Sequence, residues 1–275
     1  MEWKKYETSE IIDLRESLFS GQIFSFKETR NLEYTGVIEG HLFTLKTNGC
    51  KELYYINHTM HPSPEDAIKK FFTLELNYEE LLGKWGMKPT GLRLLRIDPI
   101  ESIFSFICSA NNNIKRITKM VNFLYSKGQF IKSVNDINFY KFPNLEILAN
   151  IEEELKINKF GYRARYISRT AQLLLETDIQ KLANISNLSK KLREYKGIGK
   201  KVADCIALMG FGRYSNVPVD IHIYRYSKEK YNLDVKNLNE TNYKKIQKAF
   251  FDEFGEYCGI AQLFIFKNLI DKNNS

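Results

Sequence analysis

Lys201 is the side chain in this sequence best placed to act as a nucleophile. It shares one face of a helix-period stretch with Cys205 and Met209, at i, i+4 and i+8. An amine set beside a thiol and a thioether is partly stripped of water, which favours covalent attack. Lys200 is adjacent, but on a helix it points about 100° away. Nineteen residues after Lys201, the stiff segment Val217-Pro218-Val219 ends in Asp220, a natural N-cap for the helix that follows. A carboxylate beside an amine can also move a proton and stabilise an oxocarbenium-like sugar. Ahead of the lysine stands Lys196-Gly197-Ile198-Gly199. Two glycines around one apolar residue allow a tight hairpin whose free N–H groups suit an anion such as a DNA phosphate. The pattern GxxxxGK[ST] is absent, so this is no Walker loop. Each feature alone has a plainer reading: an ordinary helix–helix turn, a lysine snorkelling to water, a cap without chemistry.

These residues need elements to hold them, and the pattern of the chain changes once along its length. Residues 1 to about 60 carry short β-branched and aromatic segments, GQIFSFKE, LEYTGVIEG, HLFTLKT and KELYYIN, separated by turn residues such as Asn48-Gly49. They predict an antiparallel meander. After a break at 58–66, helical periodicity takes over, with helices expected at 64–72, 78–85, 100–110, 113–127, 143–156, 162–176, 187–194, 199–210, 221–230, 241–254 and 257–271. The fold class is α+β, an N-terminal antiparallel sheet domain (1–90) followed by a large all-helical body (91–275) that contains the hairpin.

Composition is compatible with this. The 275 residues suggest two domains or one large one, at roughly 100–200 residues per domain, and 43% are hydrophobic. Lys and Arg number 41 against 33 Asp and Glu, a net charge of +8. A basic surface attracts polyanions, nucleic acid among them, though composition alone does not single it out. Cys50, Cys108, Cys205 and Cys258 are too widely spaced for an iron–sulfur cluster or a compact disulfide framework, which points to a reducing, intracellular setting. No apolar run is long enough to cross a bilayer, and the N-terminus lacks a signal-type apolar core. His58 and His61 are too isolated to suggest metal, and packing or surface roles are expected.

The order hairpin, lysine, aspartate resembles the helix-hairpin-helix DNA glycosylases, and further segments resemble the 8-oxoguanine DNA glycosylases in particular, over nearly the whole chain. SGQIFSF is similar to that family's SGQ.FRW segment; the resemblance implies that the carbonyl of Gly21 accepts from the N7–H that only the oxidised purine carries. LRLLRIDPIESIFSFICSANNNIKRI, residues 92–117, matches the family's most recognisable run, and implies that Asn111 fills the space of a flipped base while Arg116 reads the orphaned cytosine. FGYRARYI resembles the wedge segment, with Tyr162 inserting into the duplex and Arg163 bonding the same cytosine. GIAQLFIF supplies Gln262 for the Watson–Crick edge of the base and Phe266 for its face, with Cys205 on the opposite face and Met209 nearby. Gly197 and Gly199 of the hairpin and His222 match phosphate contacts.

Four positions depart from the family pattern: Lys196 for proline, Lys200 for a small hydroxyl residue, Phe26 for tryptophan, and Leu269 where animal enzymes carry an aspartate. None removes a catalytic atom. The resemblance implies base flipping, displacement of the base by Lys201 with help from Asp220, and strand nicking. No metal or organic cofactor is implied. The expected partner is double-stranded DNA containing oxidised guanine, with no membrane. The enzyme is expected to act as a monomer wherever the cell keeps its DNA, nucleus or nucleoid. Two rivals are a related glycosylase for oxidised pyrimidines and a hairpin scaffold that holds DNA without chemistry. The absent cluster cysteines count against the first, and the Lys201–Asp220 pair against the second.

Overall fold

The computed structural model describes residues 2–49 and 51–274, with side chains described as far as residue 272; Cys50 therefore lies outside the described residues. Five strands, β1 (Lys4–Tyr6), β2 (Lys27–Arg30), β3 (Glu33–Ile38), β4 (His41–Asn48) and β5 (Glu52–Asn57), form one antiparallel sheet in the order β1-β5-β4-β3-β2. Strands β3 to β5 follow the expected meander, while of the expected segment 21–28 only its end joins a strand, β2. The turn between β3 and β4 puts both Glu39 and Gly40 at positive φ, 49° and 77°, the backbone that matches the twist of a two-residue hairpin. One expected strand is not there. Residues 21–26 form a loop, because Gly21 has φ 84° and the buried amide of Gln22 turns inward. That amide donates to Arg93 O at 2.9 Å and accepts from Leu95 N at 2.9 Å.

Among the described residues, fourteen α-helices follow or flank the sheet: α1 (Leu14–Leu18), α2 (Pro64–Phe71), α3 (Tyr78–Lys84), α4 (Pro99–Ser109), α5 (Ile114–Tyr125), α6 (Leu145–Asn150), α7 (Glu152–Ile157), α8 (Tyr162–Leu175), α9 (Ile179–Ala183), α10 (Leu188–Leu192), α11 (Lys200–Cys205), α12 (Ile221–Lys230), α13 (Glu240–Phe254) and α14 (Cys258–Asn274). Their starts follow capping chemistry. Asp98 accepts from the backbone of Ile100 and Glu101 ahead of Pro99, and Asn113, Asn187 and Asn239 cap α5, α10 and α13. The body is mostly helical but also holds a hairpin, β6 (Phe130–Val134) and β7 (Ile137–Tyr140), whose turn residues Asn135 and Asp136 have φ 48° and 63°.

The helix expected at 199–210 is not uniform: α11 gives way to a π segment, Ile206–Gly210. Its Met209 carbonyl accepts from Ile97 N at 3.0 Å, which ties it to the strip leading into α4. One apolar cluster runs from Tyr6 and Phe43 of the sheet through Phe104 and Ile107 of α4 to Ala203 and Phe264, so sheet and helices bury a common core around α4. Arg93 lies wholly inside it. The guanidinium meets Glu10 at 2.6 Å and the carbonyls of Phe72, Thr73 and Leu76, and lies 3.5 Å from the ring centre of Tyr78, so its buried donors are paired as burial demands. His58 bonds Thr44 at 2.7 Å and His61 packs on His41, the packing roles anticipated for them.

Candidate active site

The hairpin between α10 and α11 is built around Gly197 and Ile198. Gly197 has φ 87°, and a Cβ there would lie 2.6 Å from the ring of Tyr166 on α8, so only glycine lets the turn dock this closely. Ile198 is buried and plugs the interior. Gly199 starts α11 in an extended conformation with open space around it, and no side chain caps the helix. The first N–H groups of α11 therefore face outward with positive dipole character.

Lys201 and Lys200 part company one residue into that helix. Lys200 turns to α13, where its amine donates to Leu238 O at 2.8 Å and lies 3.9 Å from Glu240. Lys201 is half-buried on the opposite side, 6.0 Å from the ring centre of Phe106 on α4 and beside Cys205. Burial pushes the Cys205 thiol up, and the neighbouring Lys201 charge opposes that shift.

Asp220 caps α12: its Oδ1 accepts from the backbone of His222 and of Ile223, each at 2.9 Å. The cap uses one carboxylate oxygen. The second has no partner among the described residues and lies within electrostatic reach of Cys205. Both readings of this residue are thus compatible, since capping leaves an oxygen for chemistry. No direct ion pair joins Asp220 to Lys201 among the described residues. His222 follows in the first turn of α12 and packs edge-on against Phe266, ring centres 6.1 Å apart, bringing α12 and α14 together.

The remaining pocket candidates are buried but uncommitted. Gln262 is only 6% exposed, yet its amide makes no hydrogen bond among the described residues. Cys205 and Met209 are buried on α11 and its π extension. Gly21 sits in the loop ahead of β2, its carbonyl accepting no hydrogen bond among the described residues, with the side chain of Ile114 nearest to where a Cβ would stand.

A second group gathers at the junction of α4, α5 and α8. Asn111, at φ 49°, forms the turn, with its side chain exposed and unpartnered. Asn112 and Asn113 find partners within the protein: Asn112 donates to Cys108 O at 3.0 Å, and Asn113 caps α5 through Arg116 N. Arg163 lies beneath the turn, only 2% exposed. Its Nη2 donates to the carbonyls of Ala110 and Asn111, and its Nε is buried without a partner. Tyr162 is half exposed and also donates to Ala110 O, at 3.3 Å. Arg116 is exposed, with one nitrogen on Lys159 O at 2.9 Å. Tyr166 links this group to the hairpin, tilted against Tyr162 with ring centres 5.4 Å apart and filling the space over Gly197.

Sequence reasoning overlooked Gln22, which anchors the loop of Gly21, and its helical periodicity put Ile114 on one apolar stripe with Ile117, Val121 and Leu124, whereas Ile114 is exposed beside that loop. A glutamine flanked by apolar residues in a loop was the available signal for the first, since a buried amide needs several partners.

Comparison with known proteins agrees with this geometry. Residues 5–103 match the 8-oxoguanine DNA glycosylase N-terminal domain, and residues 104–252 match the HhH-GPD superfamily of base excision DNA repair proteins. The chain is 33% identical to N-glycosylase/DNA lyase OGG1 of Arabidopsis thaliana, over 90% of its own length and 74% of that protein's. It is likewise 33% identical to the N-glycosylase/DNA lyase of Saccharomyces cerevisiae, over 75% and 68%. The structure of the Clostridium acetobutylicum 8-oxoguanine glycosylase/lyase, in complex with double-stranded DNA containing cytosine opposite 8-oxoG, superposes with a TM-score of 0.84 at 26% identity, covering 99% of both chains. With both halves matched and the hairpin, lysine and aspartate in place, the chain belongs to the 8-oxoguanine DNA glycosylase/lyase family of the HhH-GPD superfamily.

Proposed function

We propose that this enzyme removes 8-oxoguanine from duplex DNA, preferably opposite cytosine, and then cuts the strand through a Schiff base on Lys201. The observation that carries the reading is the uncommitted set around α11 among the described residues: a half-buried Lys201 without a salt bridge, an Asp220 oxygen left over from capping, and a Gln262 side chain, 6% exposed, that holds no hydrogen bond. Polar groups with spare hydrogen-bonding capacity and no internal partner to give up can pair directly with a ligand. The hairpin N–H groups hold a backbone phosphate and the lesion turns out of the stack. Gln262 meets its Watson–Crick edge, Phe266 and Cys205 its faces, and the carbonyl of Gly21 accepts from N7–H. Unmodified guanine has only an acceptor at N7, so it would set two acceptors against each other there.

The chemistry needs only the lysine and the aspartate. The Lys201 amine attacks C1′ as the C1′–N9 bond breaks, and the departing base takes up a proton from solvent. Asp220 stabilises the positive charge that develops on the sugar. One proton of the resulting ammonium then passes to O4′ as the C1′–O4′ bond breaks, which opens the ring and gives the iminium. Removal of a C2′ proton then expels the 3′ phosphate, and water finally releases the lysine. Asn111 and Arg116, with Arg163 behind them, face the orphaned base, while Tyr162 wedges the duplex. Borohydride reduction during reaction with a duplex containing 8-oxoguanine tests the reading. A covalent protein–DNA adduct dependent on Lys201 is expected, and no adduct alongside normal DNA binding would reduce the protein to a binding scaffold.

A further inference from the structure

Three residues after Lys201, on the same helix, a carboxylate is buried without a cation. Asp204 is 2% exposed and is surrounded by neutral donors only. Asn216 Nδ2 donates to Oδ1 at 2.7 Å, while Tyr243 OH and Gln247 Nε2 donate to Oδ2 at 2.7 and 3.0 Å. Burial raises its carboxyl, and the hydroxyl of Tyr243 is the chief opposing influence. Nothing in the reaction outlined above uses Asp204, so its burial calls for another reason.

Its partners supply one. Tyr243 OH, which donates to Asp204, also accepts from the backbone N–H of Val219 at 3.1 Å. Val219 is the residue before Asp220. Gln247, the second donor to Oδ2, bonds the carbonyl of Val217 at 3.1 Å as well, and Asn216 heads the same segment. Apart from Ser189 on α10, which also bonds the carboxylate, the donors thus run from Asp204 on the lysine helix to the strip that delivers the aspartate. Pro218, in the middle of that strip, has no N–H to contribute. Without these bonds the position of Asp220 would rest on its own cap and on the buried side chains of Val217 and Val219.

We infer that Asp204, through Tyr243 and Gln247, is a positioning device that sets the distance between Lys201 and Asp220. This rests on the proposed role of Asp220. Effects of such a device are felt in the chemical step, because a misplacement of the order of 1 Å can cost about 100-fold in rate.

The test is a double-variant cycle on the full-length enzyme, read as single-turnover base release at saturating enzyme, with DNA affinity and melting temperature measured in parallel. Tyr243→Phe should slow release by about 10- to 100-fold with lesion-DNA affinity unchanged. In the Asp220→Asn background the same substitution should cost no more than about twofold further, since a residue acting through Asp220 has little left to act on. Gln247→Ala, a half-exposed site where folding is not at risk, should show a smaller loss with the same dependence on Asp220. It carries the test if Tyr243→Phe melts below the assay temperature. Equal losses in both backgrounds, or no loss from either variant, would overturn the inference while leaving Asp220 in its role. A silent Asp220→Asn would instead remove the role itself and the inference with it.

Discussion

The two ends of this site are prepared in opposite ways. Around α11 the polar groups are little committed among the described residues: Gln262 holds no hydrogen bond, Lys201 has only Cys205 and the Phe106 ring beside it, and one oxygen of Asp220 is left over from capping. At the Asn111 turn the surroundings are open, yet the donors are partly committed to the protein. Arg163 Nη2 is given to the carbonyls of Ala110 and Asn111 while its Nε stays buried and unpaired, and Arg116 has one nitrogen on Lys159 O. A pocket with unpaired groups gains hydrogen bonds on binding, whereas a braced turn must exchange them. Discrimination of the lesion should therefore be the stronger and more rigid of the two selectivities, and reading of the opposite base the weaker.

The largest test of the contrast is Lys201→Ala. Base release and borohydride trapping should fall below detection while lesion-DNA affinity changes little, measured by gel trapping and fluorescence anisotropy. If Lys200→Ala lost trapping and Lys201→Ala kept it, the assignment of the two helix faces would be reversed. Next comes Asp220→Asn, expected to slow single-turnover release by ~10²–10⁴-fold. Folding should hold, since asparagine caps helices nearly as well.

On the braced side, excision opposite cytosine should exceed excision opposite adenine by about 5- to 150-fold, the equivalent of the ~1–3 kcal/mol cost of an unpaired buried polar group. Cytosine offers O2 and N3 to the arginines, while adenine turns an amino group toward them. Single-turnover rates with all four opposing bases measure this, and Arg116→Ala combined with Arg163→Ala should flatten the series. Equal rates opposite cytosine and adenine in the unaltered enzyme would remove the three-residue reading of that side.

Helix α4 underlies both ends, since it carries Phe106 beneath Lys201 and leads into the Asn111 turn. Its first turn holds Glu101, 5% exposed and bonded to Ser25 Oγ at 3.2 Å, with its carboxyl pushed by burial up to about 7. A group held above its unfolded value binds its proton more tightly in the folded state. Its contribution is therefore complete below about pH 4.5 and is lost as pH rises through about 7. That loss is on the order of 3 kcal/mol, so Glu101→Gln should flatten the decline in melting temperature between pH 5 and 8. An unchanged profile would show that the group is not titrating there. The smallest effect belongs to Lys200→Ala, where loss of the Leu238 and Glu240 contacts should weaken DNA binding a few-fold and leave trapping intact, on the order of an exposed ion pair.

Much of this was legible in the sequence because the signals were local. Period-two segments marked β3, β4 and β5, the Asp220 cap marked the start of α12, and helix geometry separated Lys200 from Lys201. The hairpin β6–β7 was legible in principle, since Asn135-Asp136 between Phe130–Val134 and Ile137–Tyr140 carries the composition of a two-residue turn. It lay within a stretch assigned to connections between helices. What the sequence could not display was partnership across distance. The π segment at 206–210 depends on contacts from elsewhere, such as Ile97 N on Met209 O. The inward turn of Gln22 depends on residues some seventy positions away. Burial of Arg163 likewise follows from the carbonyls of a turn about fifty residues earlier, and a Tyr-Arg pair at a helix start gives no hint of it.

The shared hold of Tyr162 and Arg163 on the Ala110 carbonyl bears on time as well as on geometry. A repair enzyme meets vast numbers of sound base pairs for each damaged one, and most encounters must end quickly. Because Tyr162, the proposed wedge, is already fastened to the Asn111 turn, it has no disordered search of its own to complete at each position. An encounter then lasts only as long as the duplex takes to yield or refuse. Loosening that attachment, by Tyr162→Phe for instance, would lengthen the sampling of undamaged DNA before it altered the fate of a lesion already extruded.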